Sequence, residues 1–128
     1  LRLLLDTHAL AWFLLDLPRL PQTAKAAIAD PDNMVVVSVV SALEIAIKVR
    51  VGKWPEAEPI LRNFDGVLSA EQFQPLPVSM DHALKAGSMP GSHRDPFDRL
   101  LIAQALVEDL ILVTNEALFD GFGVQRLW

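Results

Sequence analysis

The chain has 128 residues, 52% of them hydrophobic, enough for one domain (residues 1–128) with a substantial buried core. Its net charge of −5, from 11 basic and 16 acidic residues, argues against a protein that coats nucleic acid by charge alone. The absence of cysteine excludes thiolate metal sites and cysteine nucleophiles. No apolar run reaches the ~18 residues of a membrane span, so no membrane association is expected.

In chain order, residues 2–6 form a short apolar run ending in an acid, as in a buried strand. Thr7 or Asp6 could cap the helix that follows, whose apolar body is Leu10, Trp12, Phe13, Leu14 and Leu15. Residues 23–29 read as a short helix closed by the turn Asp30-Pro31-Asp32-Asn33. Residues 34–40, with Val35-Val36-Val37 at their centre, are the clearest strand. The next segment alternates with strand period, yet Ser41-x-x-Glu44 has the form of a capping box and Gly52 makes a stop. Residues 42–51 are therefore expected to be helical.

Ile60, Leu61, Phe64, Val67 and Leu68 recur at helical spacing, and Pro75 and Pro77 confine a strand at 73–78 to a sheet edge. Ser79 caps a short helix over 80–86, and residues 87–94 form a loop. A helix follows from Pro96 to about Glu108, with Asp95 as cap, Pro96 in its first turn and Asp98 facing its dipole. Residues 110–114 and 124–128 read as two further strands. Strands alternating with helices imply an α/β domain around a mainly parallel sheet.

Ligands of open parallel sheets bind beyond the carboxyl ends of the strands. Asp6, Ser38 and Thr114 all fall at that edge, with Glu44, Asp98 and Glu116 just beyond it. Each acid has a bland explanation as a cap or an exposed turn residue. Together they make a set of hard oxygens of the kind that holds Mg²⁺, and an acidic centre neutralised by metal remains compatible with phosphate chemistry despite the net charge. Two such ions ~3.5–4 Å apart can activate a water against a phosphodiester.

Lys48, Arg50 and Lys53 lie near Glu44, and Arg94 and Arg99 near Asp98; they could contact phosphate or simply solvate helix faces. His93 could position phosphate but reads as an incidental loop residue, and Trp12, Trp54 and Trp128 read as core or interface. The histidines offer no paired zinc spacing. Nucleotide-cofactor and serine-hydrolase motifs are absent.

Four blocks carry a family resemblance: Leu3-Leu4-Leu5-Asp6-Thr7-His8, Ser41-Ala42-Leu43-Glu44-Ile45-Ala46-Ile47-Lys48, the run from His93-Arg94-Asp95-Pro96-Phe97-Asp98-Arg99 to Ala105, and Leu112-Val113-Thr114-Asn115-Glu116. In these the sequence resembles the PIN-domain ribonucleases, and within them the VapC-type toxins of bacterial toxin–antitoxin pairs. The resemblance implies a three-layer α/β/α sandwich and an endoribonuclease dependent on Mg²⁺ or Mn²⁺, acting on structured RNA such as transfer RNA. It implies metal binding by Asp6, Glu44 and Asp98, with Thr114 and Glu116 at a fourth acidic position where the family usually has Asp. Thr7, Ser38 and Asp95 would support that set, and Lys48, Arg94 and Arg99 would face RNA. It further implies a homodimer in the bacterial cytoplasm and a VapB-type antitoxin whose C-terminal segment lies in the active-site groove. The longer Glu116 leaves an alternative: a PIN module without turnover that only binds its antitoxin or RNA.

Overall fold

Leu3, Leu4 and Leu5 have no exposed surface at all, which places strand β1 (Arg2–Leu5) at the centre of the molecule. In the computed structural model, which describes all 128 residues, β2 (Met34–Ser38) pairs with β1 in parallel, Leu3 opposite Val35 and Leu5 opposite Val37. The other side of β1 takes β4 (Ile111–Val113), also parallel, with Leu5 opposite Val113. Short strands β3 (Gln74–Leu76) and β5 (Arg126–Leu127) close the edges, giving the order β3-β2-β1-β4-β5. A parallel sheet covered on both faces needs apolar strands, and the inner three are apolar apart from Arg2 at the start of β1 and Ser38 at the end of β2.

Alternate residues feed two cores. Leu3, Leu5, Val35, Val37 and Val113 join Ala9 and Leu10 of α1 (Thr7–Leu14), Ala24 and Ile28 of α2 (Gln22–Ala29), and Ile45 of α3 (Val39–Arg50). Ile60 of α4 (Glu58–Leu61) and Leu68 of α5 (Phe64–Ala70) complete that layer. On the opposite face Leu4, Val36 and Leu112 pack with Leu101, Ile102 and Ala105 of α7 (Pro96–Glu108), against which α6 (Met80–Ser88) lies. The result is the three-layer α/β/α sandwich.

One boundary differs in a way that matters for function. The β-branched run predicts a strand to residue 40, but Ser38 Oγ accepts a hydrogen bond from the Val40 N–H at 3.0 Å and starts α3 at Val39. A local side-chain bond to the backbone overrides strand propensity here. Ser41 is therefore no cap, and the capping box expected with Glu44 does not form; Ser41 Oγ instead pairs with Thr7 Oγ1 at 3.0 Å. Glu44 moves into the second turn of α3, where the cap that offered its bland explanation is gone. No helix is long and apolar enough to cross a membrane.

Candidate metal centre

The order in which strands are laid down reverses about β1: β2 and β3 lie on one side, β4 and β5 on the other, all parallel. Asp6 sits at that switch point, where a crevice opens in parallel sheets. Its backbone N–H donates to the Val113 carbonyl at 3.0 Å, which pins it to the end of β4. Its carboxylate, rather than the Thr7 hydroxyl, caps α1 by accepting from the Ala9 N–H at 2.6 Å. Burial pushes the Asp6 carboxyl above the ordinary carboxylate range and the Glu44 charge adds to the rise, while Thr114, the Ala9 N–H and His8 oppose it.

Glu44 is 7% exposed and accepts from the Lys48 ammonium at 2.7 Å. Asp98 enters from the first turn of α7, and its Oδ2 lies 2.8 Å from His93 Nε2. Burial pushes the Asp98 carboxyl upward too; His93 opposes the rise, and the charges of Asp95 and Glu44 reinforce it. Glu44 is thus the charge that both Asp6 and Asp98 feel. Asp95 is exposed and spent as the cap of α7, accepting from the N–H groups of Phe97 and Asp98 at 2.9 and 3.2 Å.

The fourth position is occupied differently. Thr114 is fully buried at the end of β4 and its Oγ1 accepts from the Glu116 N–H at 3.1 Å. The Glu116 carboxylate turns away to cap the 3-10 turn Ala117–Phe122, accepting from the Leu118 N–H at 3.2 Å. Its charge is felt by Arg126, on the last strand, and contributes to neither Asp6 nor Asp98. No three of the chain's histidine and acidic side chains converge on one point at ligand distance.

The donor set still suits a hard divalent cation. Mg²⁺ binds proteins through one or two carboxylates and keeps several waters, so three converging acids are not required. Burial holds Asp6 and Asp98 above their ordinary pKa, the Glu44 charge adds to the rise, and the cation held against Glu44 is the Lys48 ammonium. A metal ion among these oxygens would relieve the repulsion.

Two residues have parts that the sequence did not disclose. His93 is no incidental loop residue; it partners Asp98 and meets Phe119 and Phe122 edge-on. The available signal was its place two residues before the Asp95 cap, from which a side chain reaches over the first turn. Arg99 does not face solvent for phosphate. It donates to the carbonyls of Ala86 and His93 at 2.7 and 2.9 Å and to that of Met89, tying the loop before α7 to the end of α6. Arg94 is exposed in that loop.

Residues 3–123 match the PIN domain family. The chain belongs to it. This PIN domain also shares its fold with VapBC2 from Rickettsia felis bound to a DNA fragment from their promoter, at TM-score 0.73 and 18% identity over 99% of this chain and 98% of that one. FitAcB from Neisseria gonorrhoeae is similar at TM-score 0.69 and 18% identity over 98% and 96%. No curated protein matches the sequence significantly. PIN domains are generally nucleases and typically use divalent metal ions.

Proposed function

We propose that this PIN domain is a toxin of a toxin–antitoxin pair, an endoribonuclease that hydrolyses RNA phosphodiesters with Mg²⁺ or Mn²⁺ and is silenced by a VapB-type antitoxin. The observation that supports the reading is Asp6 at the switch point of the sheet, with the charge of Glu44 acting on both Asp6 and Asp98. The fold shared with VapBC2 and FitAcB supports the antitoxin partnership. Structured RNA such as transfer RNA is the proposed substrate, cut by water without a covalent intermediate.

Asp6, Glu44 and Asp98 would hold the metal, and Glu116 would reach it only through water. The bound ion would supply a water activated for attack and offset the charge gathering on the phosphate. Around it the chain's own groups do the positioning. The Ala9 N–H fixes Asp6, and Lys48 holds Glu44. His93 orients Asp98, and the buried Thr7–Ser41 pair packs the floor between α1 and α3. A homodimer in the cytoplasm completes the proposal; the exposed Val39 and Leu43 of α3 and Met80 and Leu84 of α6 offer apolar surface for it.

Cleavage of labelled transfer RNA by the purified chain, with and without EDTA, tests the reading. Activity should require Mg²⁺ or Mn²⁺ and vanish in Asp6→Asn and Asp98→Asn. Full activity in EDTA, or in both variants, would overturn it. The diversion of Glu116 into a cap favours a second reading, a module that binds antitoxin or RNA without turnover. RNA binding with no cleavage under any divalent metal would select it.

A further inference from the structure

An open cavity of about 370 Å³ lies beside the acidic cluster, against α1 and the end of α3. The His8 imidazole stacks on Trp54 there, with ring centroids 5.0 Å apart and planes at 30°, and tilts against Trp12 at 5.6 Å. The Lys48 ammonium lies over the Trp54 ring, 5.7 Å from its centroid, and the Arg19 guanidinium over Trp12 at 6.0 Å. Lys53 adds a third cation to the wall, and Glu56 is its one acid. In a chain of net charge −5 this is a local reversal of sign.

The cavity is linked to the candidate metal centre by two of its lining residues, Lys48 and His8. Lys48 is the ammonium that holds Glu44 at 2.7 Å, and His8 stands two residues after Asp6 on the same helix turn. Ordinary core packing does not account for it. Trp54 is buried, but His8 above it is exposed, Trp12 is half-buried, and Arg19 and Lys53 are exposed. An aromatic stack ending in an exposed ring with cations around it is the combination on which unpaired bases stack while their phosphates are neutralised.

We infer that His8, backed by Trp54 and flanked by Trp12, is a stacking platform for one unpaired base of the RNA next to the scissile phosphate, with Arg19 and Lys53 on the neighbouring phosphates. The inference rests on the ribonuclease reading and extends it to a determinant of substrate choice: the RNA must present an unstacked base beside the cut. A strand fully paired at that point cannot use the platform.

The test uses the full chain with Asp98→Asn to stop turnover, and a short fluorescein-labelled single-stranded RNA read by anisotropy at fixed salt. A second oligonucleotide keeps every phosphate and sugar but lacks the bases. His8→Ala is expected to weaken binding of the base-bearing strand roughly 5- to 150-fold, the range for one stacked base, and to leave the abasic strand unchanged. His8→Phe, which keeps a ring, should restore the affinity. Lys53→Ala should weaken both strands alike and reduce the salt slope by about 0.7. Equal affinity of parent and His8→Ala for the base-bearing strand would overturn the platform while leaving the ribonuclease reading intact. A parent that binds neither strand overturns the platform as well; if the unsubstituted chain also cleaves no RNA with Mg²⁺, the ribonuclease reading falls with it.

Discussion

His93 Nε2 lies 2.8 Å from Asp98 Oδ2, bridging the loop before α7 to the first turn of that helix. The imidazole is fixed from behind by Phe119 and Phe122, both edge-on to it. Partners that orient a ligating carboxylate typically cost 10–100-fold in metal affinity or activity when removed. His93→Ala is therefore expected to raise the Mg²⁺ concentration needed for half-maximal cleavage about 10-fold or more, with a smaller loss at saturating metal. An unchanged metal dependence would show that Asp98 needs no such partner.

Asp6 combines a helix cap with a buried charge, and the two can be separated. Asn caps helices about as well as Asp, so Asp6→Asn keeps a bond to the Ala9 N–H while removing the carboxylate that burial and Glu44 destabilise. The variant should abolish cleavage yet melt at the same temperature as the parent or higher. Asp6→Ala, which loses the cap as well, should be less stable than Asp6→Asn by about 1 kcal/mol in urea denaturation. An Asp6→Asn protein that is active, or one that is unfolded, would count against this assignment.

The pH dependence follows from the same carboxyls. A carboxyl whose pKa is higher in the folded chain than in the unfolded one binds its proton more tightly when folded. Its effect is a stability loss as pH rises from the ordinary value of about 3.9 through the raised folded value, complete above it. Asp6 and Asp98 act in this sense, whereas Asp16 beside Lys25 and Asp120 beside Arg126 are lowered and act oppositely. The informative quantity is thus the difference between parent and Asp6→Asn, Asp98→Asn. Metal-free melting temperatures should converge below about pH 4 and diverge above, the parent being the less stable, and Mg²⁺ should close the gap in the parent alone.

Arg99 gives the most direct stability prediction. Its guanidinium satisfies three main-chain carbonyls, on Ala86, Met89 and His93. Lysine cannot reproduce that planar fork, so Arg99→Lys should cost about 2–3 kcal/mol and speed amide exchange across residues 89–95. Cleavage should fall as well, because the same loop carries His93.

How far the sequence discloses this arrangement depends on the range of the interaction. Val35–Val37 and Leu3–Leu5 announce a central parallel sheet because a strand covered on both faces leaves no polar position. The acids at the strand ends could be placed at one edge from strand direction alone. What could not be read were contacts made by side chains over one turn or between elements: the Ser38 cap that starts α3 at Val39, the His93–Asp98 bond, and the Arg99 clamp. His8 and Trp12 are i,i+4 neighbours on α1, but Trp54 is distant in sequence, and only the packing of the segment after α3 against α1 stacks it on His8. Glu116 looked like a fourth ligand by position, and the local preference of its carboxylate for the Leu118 N–H was invisible.

Glu116 is held by its own cap. With its side chain capping the 3-10 turn, Glu116 can reach a metal only through water or by giving up the cap. Glu116→Gln keeps an oxygen to accept from the Leu118 N–H, so the fold should be unaffected. If the carboxylate acts only through water, the loss of cleavage should be about 10-fold, the lower end for an outer partner, against near-complete loss in Asp98→Asn. Glu116→Asp shortens the side chain to the form the family usually carries, and loosens the cap. Should it raise the rate and lower the Mg²⁺ requirement, the present chain is a nuclease slowed by one methylene. Loss of cleavage in Glu116→Gln as deep as in Asp98→Asn would instead mean that the carboxylate leaves Leu118 and binds the metal directly.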